Sequence, residues 1–124
     1  MNNINLHELS LAEEVIRITQ HEAAKNNAGL ISEITIETGC FSGVEIDAFR
    51  SAVEVMAEGT LLAGASLNIV IMKGKGYCSG CDKEFEMDNR LDTCPMCNSF
   101  PSQIRSGHEF RVVSIVVEKD NGEG

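Results

Sequence analysis

Four of the five cysteines form two CxxC pairs, Cys78-x-x-Cys81 and Cys94-x-x-Cys97, with twelve residues between the pairs. A two-residue gap lets both thiolates of one tight turn point at a single ion. Two such turns complete a four-sulfur tetrahedron, the shell that Zn²⁺ takes in structural sites. The intervening residues 82–93 are mostly polar and could not build a core alone, so metal binding would supply the folding energy of this stretch. Iron accepts the same four thiolates and ranks second. Disulfides rank last. The opening MNNINLHE has neither a positively charged stretch nor an apolar run of the kind that marks a secretory leader. A thioredoxin-like redox role calls for one CxxC beside a βαβ unit rather than two matched pairs.

Composition narrows the partners. Ten Lys and Arg stand against nineteen Asp and Glu, for a net charge of −9. Such a surface repels phosphate backbones, so nucleic acid is not expected despite the ribbon-like cysteine spacing. It favours cationic partners and divalent metal ions. No apolar run approaches transmembrane length, so no membrane association is expected, and a cytoplasmic setting with reduced thiols is the simplest reading.

The apolar pattern predicts an α+β fold: two helices packed on a small three-stranded mixed sheet, with an inserted zinc-ribbon-like four-cysteine module. Residues 8–26 read as a helix, with Leu9, Ala12, Val15, Ile16, Thr19 and Ala23 on one face and Asn26, Asn27 and Gly29 as the stop. Residues 30–38 alternate as a strand. Ser42-Gly43-Val44-Glu45 has the form of a capping box and predicts a second helix to about Glu58, with Ile46, Phe49, Val53 and Met56 buried and Gly59 as terminator. Residues 65–72 predict a second strand, with Leu67, Ile69 and Ile71 on one face. Gly74-Lys75-Gly76 opens the metal module. Residues 110–118 are dense in Val and Ile on both faces, which predicts a strand at the centre of the sheet, and the polar tail from residue 119 on is expected to fray. The domains expected are therefore 1–73 with 108–124 as an α/β domain, and 74–107 as a zinc-binding domain.

Three stretches together resemble the HypA/HybF family of hydrogenase nickel-incorporation proteins. They are Leu6-His7-Glu8-Leu9-Ser10-Leu11-Ala12, similar to the family's opening Met-His-Glu-Leu-Ser-Leu; Gly39-Cys40-Phe41-Ser42-Gly43-Val44-Glu45; and the double CxxC followed by Ser106-Gly107-His108-Glu109-Phe110-Arg111-Val112. Their order and spacing match along nearly the whole chain. The resemblance implies a small nickel metallochaperone without catalytic turnover. It would assist insertion of Ni²⁺ into the large subunit of [NiFe]-hydrogenase with the GTPase HypB as partner, and could also serve urease maturation proteins. It implies His7 and Glu8 as nickel ligands, His7 through its ring nitrogen and its own amide, Glu8 through an amide with its carboxylate nearby. It implies Cys78, Cys81, Cys94 and Cys97 as ligands of a structural zinc. Imidazole and deprotonated backbone amides suit Ni²⁺ in a square-planar nitrogen field. Leu6 stands where the family motif has its initiator Met, whose terminal amine can serve as a ligand. Met1 to Asn5 precede it here, so that amine is remote in sequence from His7.

Other candidates have plainer readings. His21 reads as a helix-surface residue, His108 as a polar residue at the module junction, and Cys40 as a small buried apolar residue at a turn. No Ser is matched to a His and Asp in a way that suggests a hydrolase, and Gly74-x-Gly76 is too short for a phosphate loop. The alternative function is an acidic zinc-ribbon protein-interaction module that transports no nickel. A rubredoxin-like iron electron carrier is a weaker third.

Overall fold

The computed structural model describes residues 6–119. The five residues that precede Leu6, and the expected fraying of residues 120–124, lie outside the described part. Elements follow the predicted order: α1 Leu6–Lys25, β1 Ala28–Gly39, α2 Ile46–Ala57, β2 Ser66–Met72, then β3 Gly74–Cys78, β4 Lys83–Met87 and β5 Gln103–Ser106 of the cysteine module, and β6 Phe110–Lys119. They form two small sheets, with strand orders β2-β1-β6 and β4-β3-β5.

Among the described residues one compact unit comprises 6–36, 44–68 and 112–119. Its core comes from the stripe the helical period predicts on α1 (Ala12, Val15, Ile16, Thr19, Ala23), from Ile31, Ile34 and Ile36 of β1, and from Phe49, Ala52, Val53 and Ala57 of α2. Thr19 is tolerated there because its hydroxyl donates back to the Val15 carbonyl at 2.8 Å. α1 stops where expected, with Asn27 in the left-handed region at φ 53°. Gly59 does the same after α2 at φ 78°. The following loop drops Leu62 into the core.

Two local expectations fail. Ser42 does not cap α2. The helix begins at Ile46, its N-cap is Glu45, and no side chain of the cap residue closes the first turn. Gly43, at φ 78°, turns the chain after Ser42, whose hydroxyl pairs with that of Thr38 at 2.8 Å. The Glu45 amide donates instead to Oε2 of Glu8, 37 residues earlier on α1, at 3.1 Å. A buried carboxyl group at a helix N-terminus is favoured by both the free amides and the helix dipole.

The second failure concerns β6. It lies at an edge of its sheet, and β1, flanked by β2 and β6, is central. Apolar content on both faces therefore did not mean burial on both: Val113 and Val116 remain 43% and 48% exposed. Ile71 on β2 is also exposed, although Leu67 and Ile69 of the same face are half-buried.

The other compact unit comprises 37–43 and 69–111. β3 pairs antiparallel with β4 in register from Gly74↔Met87 to Cys78↔Lys83, and with β5 across a bulge at Lys75/Gly76. Its small core holds Phe41, Cys78, Phe85, Met87 and Cys94, with Cys40, Cys81 and Ile104 packed against it. Phe41 sits over two glycines. A Cβ on Gly74 would lie 2.3 Å from its ring, and one on Gly107 2.5 Å. Among the described residues no helix is long and apolar enough to cross a membrane.

Candidate metal centres

The four CxxC cysteines converge. Cys78 ends β3, Cys81 follows in the turn to β4, and Cys94 and Cys97 bound a second turn in the loop before β5. Each turn closes the same way. The residue after its second cysteine, Asp82 or Asn98, takes a positive φ of 52° or 60°. Asp and Asn are the side-chain-bearing residues that adopt this conformation most readily. The Asn98 amide donates to the Cys94 carbonyl at 2.8 Å, and the Cys94 amide to the Ser99 carbonyl at 2.9 Å. Outside the turns, the Tyr77 hydroxyl donates to Asp82 at 2.6 Å, which raises its pKa, and the Arg105 guanidinium lies 3.9 Å over the Tyr77 ring while pairing with Glu84. The first turn is thus tied to β3, β4 and β5.

All four sulfurs lie within 4.8 Å of one another, and none is in a disulfide. A regular tetrahedron with metal–sulfur bonds near 2.3 Å needs sulfurs about 3.8 Å apart. Four free thiols at this spacing fit a single thiophilic ion. Their environments differ: Cys78 and Cys94 are buried, Cys81 is half-buried and Cys97 is exposed. Hydrogen bonds from Ser99, first from its side chain and then from its backbone, hold the Cys97 thiol down at about 6. Cys81, hydrogen-bonded to Cys97 and partly desolvated, is pushed up to about 12. The role of Ser99 was not foreseen from the sequence. The Asp and Asn that follow the two pairs were a readable signal for the turns.

His7 and Glu8 lie in the first turn of α1, where acidic residues complement the helix dipole. Their burial is opposite. The His7 side chain is 56% exposed and that of Glu8 is 1% exposed. Nδ1 of His7 is 3.3 Å from Oε2 of Glu8, the same oxygen that receives the Glu45 amide. The other oxygen, Oε1, is buried with no hydrogen-bond partner among the described residues. Imidazole and carboxylate are adjacent, yet the four cysteines are the one group of three or more His, Cys, Asp and Glu side chains placed for a common ion among the described residues. An ion held at His7 would need donors beyond these two side chains, and backbone nitrogen is one such source.

Of the remaining candidates, Cys40 departs from its expected place as a small buried residue, being only half-buried. His21 is exposed on α1. The Cys40 thiol packs on the small core and donates to the Met87 carbonyl at 3.6 Å. The ring of His108, itself exposed, is 6.1 Å from that of Phe41, and Arg90 lies 4.9 Å from the Phe41 centroid.

Residues 6–117 match the family described as hydrogenase/urease nickel incorporation, metallochaperone, hypA. The chain is 33% identical over 113 residues to the hydrogenase maturation factor HypA of Azotobacter chroococcum, covering 91% of this chain and all of that protein. It is 34% identical over 115 residues to the HypA of Parabacteroides distasonis, covering 93% and 100%. Among solved structures it is similar to the solution structure of the Ni metallochaperone HypA from Helicobacter pylori, at a TM-score of 0.63 and 28% identity over 91% of this chain and 98% of that one. A second solution structure of a HypA protein gives a TM-score of 0.67 and 30% identity over 94% and 99%.

Proposed function

Because the chain belongs to the HypA family of hydrogenase/urease nickel-incorporation metallochaperones, we propose that it carries Ni²⁺ at His7 and Glu8 and delivers it toward the large subunit of [NiFe]-hydrogenase, with the GTPase HypB as partner. The observation that carries this reading is the family match from residue 6 to residue 117, which takes in both the His7-Glu8 pair and the double CxxC. The resident metal of the thiolate cluster is Zn²⁺. When bound it supplies a redox-inert cross-link between the two cysteine turns, and with it most of the folding energy of that loop-rich stretch.

The two centres suit opposite tasks. The cysteine cluster offers four soft sulfurs, two of them buried, which favours permanent retention. His7 is an exposed nitrogen donor in the first turn of a helix, and an exposed donor allows release, which a carrier requires. The net charge of −9 raises the local concentration of divalent cations at the surface. Selectivity for nickel over copper does not come from affinity, since copper binds nitrogen sites more tightly, and so belongs to geometry and to the handover partner. The carboxylate of Glu8 is engaged by the Glu45 amide, so its contribution to nickel runs through its backbone nitrogen or the buried Oε1.

Metal analysis of the purified chain before and after nickel loading tests the assignment. The expected result is one tightly held zinc and one exchangeable nickel per chain, with nickel lost in His7→Ala and zinc retained. Uptake of zinc alone, or nickel binding unchanged by His7→Ala, would leave the acidic zinc-ribbon interaction module as the better reading.

A further inference from the structure

We propose that Cys97 is the one corner of the thiolate cluster that reacts with small disulfides and electrophiles, and that it is a site of reversible mixed-disulfide formation. The consequence for metal release rests on the zinc reading above. The order of thiol reactivity rests on geometry alone.

The four sulfurs are close together but not equally reachable. Cys78 and Cys94 belong to the packed core with Phe41, Phe85 and Met87. Cys81 is half-buried. Cys97 is exposed, and so is everything around it in sequence: Pro95, Met96, Asn98, Ser99 and Phe100 all face solvent. The first turn offers no equivalent opening, because its second cysteine packs against the small core. Thiol–disulfide exchange requires the attacking sulfur to approach one sulfur of the disulfide from outside. A residue buried on all sides cannot offer this approach without local unfolding, whereas Cys97, an exposed residue whose sulfur lies 3.5 Å from that of Cys78, is the outer corner of the cluster.

The step is balanced with a small disulfide as oxidant. The Cys97 sulfur attacks one sulfur of RS–SR, a new S–S bond forms to RS, and the old bond breaks. The second RS leaves as thiolate and takes up the proton of the Cys97 thiol or one from water. Cys97 is oxidised to the mixed disulfide and half of the small molecule is reduced to RSH. A metal at the cluster then retains three sulfurs of four. A reducing thiol reverses the reaction. The fifth thiol, Cys40, is an internal control, since it is half-buried and already donates to the Met87 carbonyl.

The test uses the purified full chain with its metal content measured first. It is exposed to hydroxyethyl disulfide, a neutral probe chosen because a net charge of −9 repels anionic disulfides. Samples are quenched in acid over time and mapped by tandem mass spectrometry, which separates Cys94 from Cys97, while a chromogenic indicator follows released zinc. The expected first adduct is on Cys97, at least about tenfold faster than on Cys78 or Cys94, with zinc release following at the same rate and reversal by dithiothreitol. A first adduct on Cys81 or Cys40, or equal modification of the four, overturns the inference. If the chain proves to hold no zinc, the zinc reading fails separately, and the adduct order still decides this one. Cys97→Ser should abolish the early adduct. The wild-type time course carries the decision if that variant folds poorly.

Discussion

A single carboxylate shows how far one side chain reaches in this protein. Glu8 is buried, accepts the Glu45 amide at the start of α2, and stands beside the His7 ring. Glu8→Ala removes that acceptor and leaves the first turn of α2 without a cap. Urea denaturation should show a loss of roughly 1–2 kcal/mol, the size of a lost N-cap. Glu8→Gln keeps a carbonyl acceptor and should lose less. Equal stability of both variants with wild type would mean that the α2 cap is not supplied from α1. Glu109 acts on a smaller scale. Its Oε1 accepts the Gly107 amide, and this bond holds its carboxyl below the usual carboxylate value. A depressed folded-state pKa contributes stability that is present above the unfolded value, near 4.3, and is lost as pH falls through the folded one. Glu109→Gln should therefore lose a little stability at neutral pH, flatten the acid side of the profile and converge on wild type below about pH 4.5. Thermal melts from pH 3 to pH 7 measure this, and identical profiles would remove Glu109 from the acid response.

At the scale of elements, glycines decide how closely backbones approach. The Gly39 amide, at the end of β1, donates to the Glu109 carbonyl at 2.7 Å, and the Phe41 amide donates to that of Gly107, also at 2.7 Å. A Cβ on Gly39 would lie 2.0 Å from the Gly107 carbonyl oxygen. That obstacle is backbone, which cannot rotate away. Gly39→Ala should cost about 3 kcal/mol or more by forced separation of the two segments. Gly43→Ala is the useful contrast, because nothing lies within 4 Å of its Cβ and its penalty comes from the positive φ alone. Denaturation midpoints should rank wild type, Gly43→Ala, Gly39→Ala. The reverse order of the two variants would refute the steric account. The pattern of α1 and the order of elements along the chain were legible because their periods are local. The capping box was misread for the same reason: Ser42 to Glu45 look sufficient by themselves, and nothing local reveals a carboxylate arriving from 37 residues earlier.

At the scale of the whole molecule, the two metal assignments sit in different compact units: His7 and Glu8 fall in the helical unit, the four cysteines in the other. Removing zinc should therefore act unevenly. Chelation, or the Cys78→Ser/Cys94→Ser double variant, should raise amide exchange through residues 69–111 while the far-UV signal of α1 and α2 persists, since the helical core of Phe49, Ala52, Val53 and Ile34 contains no cysteine. Exchange that stays slow in residues 69–111, or concerted loss of the helices, would contradict this division. The cysteine cluster was fully legible beforehand, because CxxC spacing is a short-range geometric constraint. The position of β6 was not. Val and Ile on both faces are compatible with a central strand or with an edge strand that keeps apolar side chains in water, and strand order depends on partners remote in sequence.

The sequence by itself determined the order of elements, the helical core stripe of α1, the two cysteine turns and the family. Each is written in spacings of a few residues or in motifs that survive without knowledge of the fold. Tertiary structure alone decided that β1 rather than β6 is central, that Glu8 rather than Ser42 caps α2, and that of four equivalent-looking cysteines two are buried and Cys97 is open to solvent. These outcomes depend on which surfaces meet after the chain has folded back on itself, and burial and hydrogen-bond partners across tens of residues leave no periodic trace in the chain.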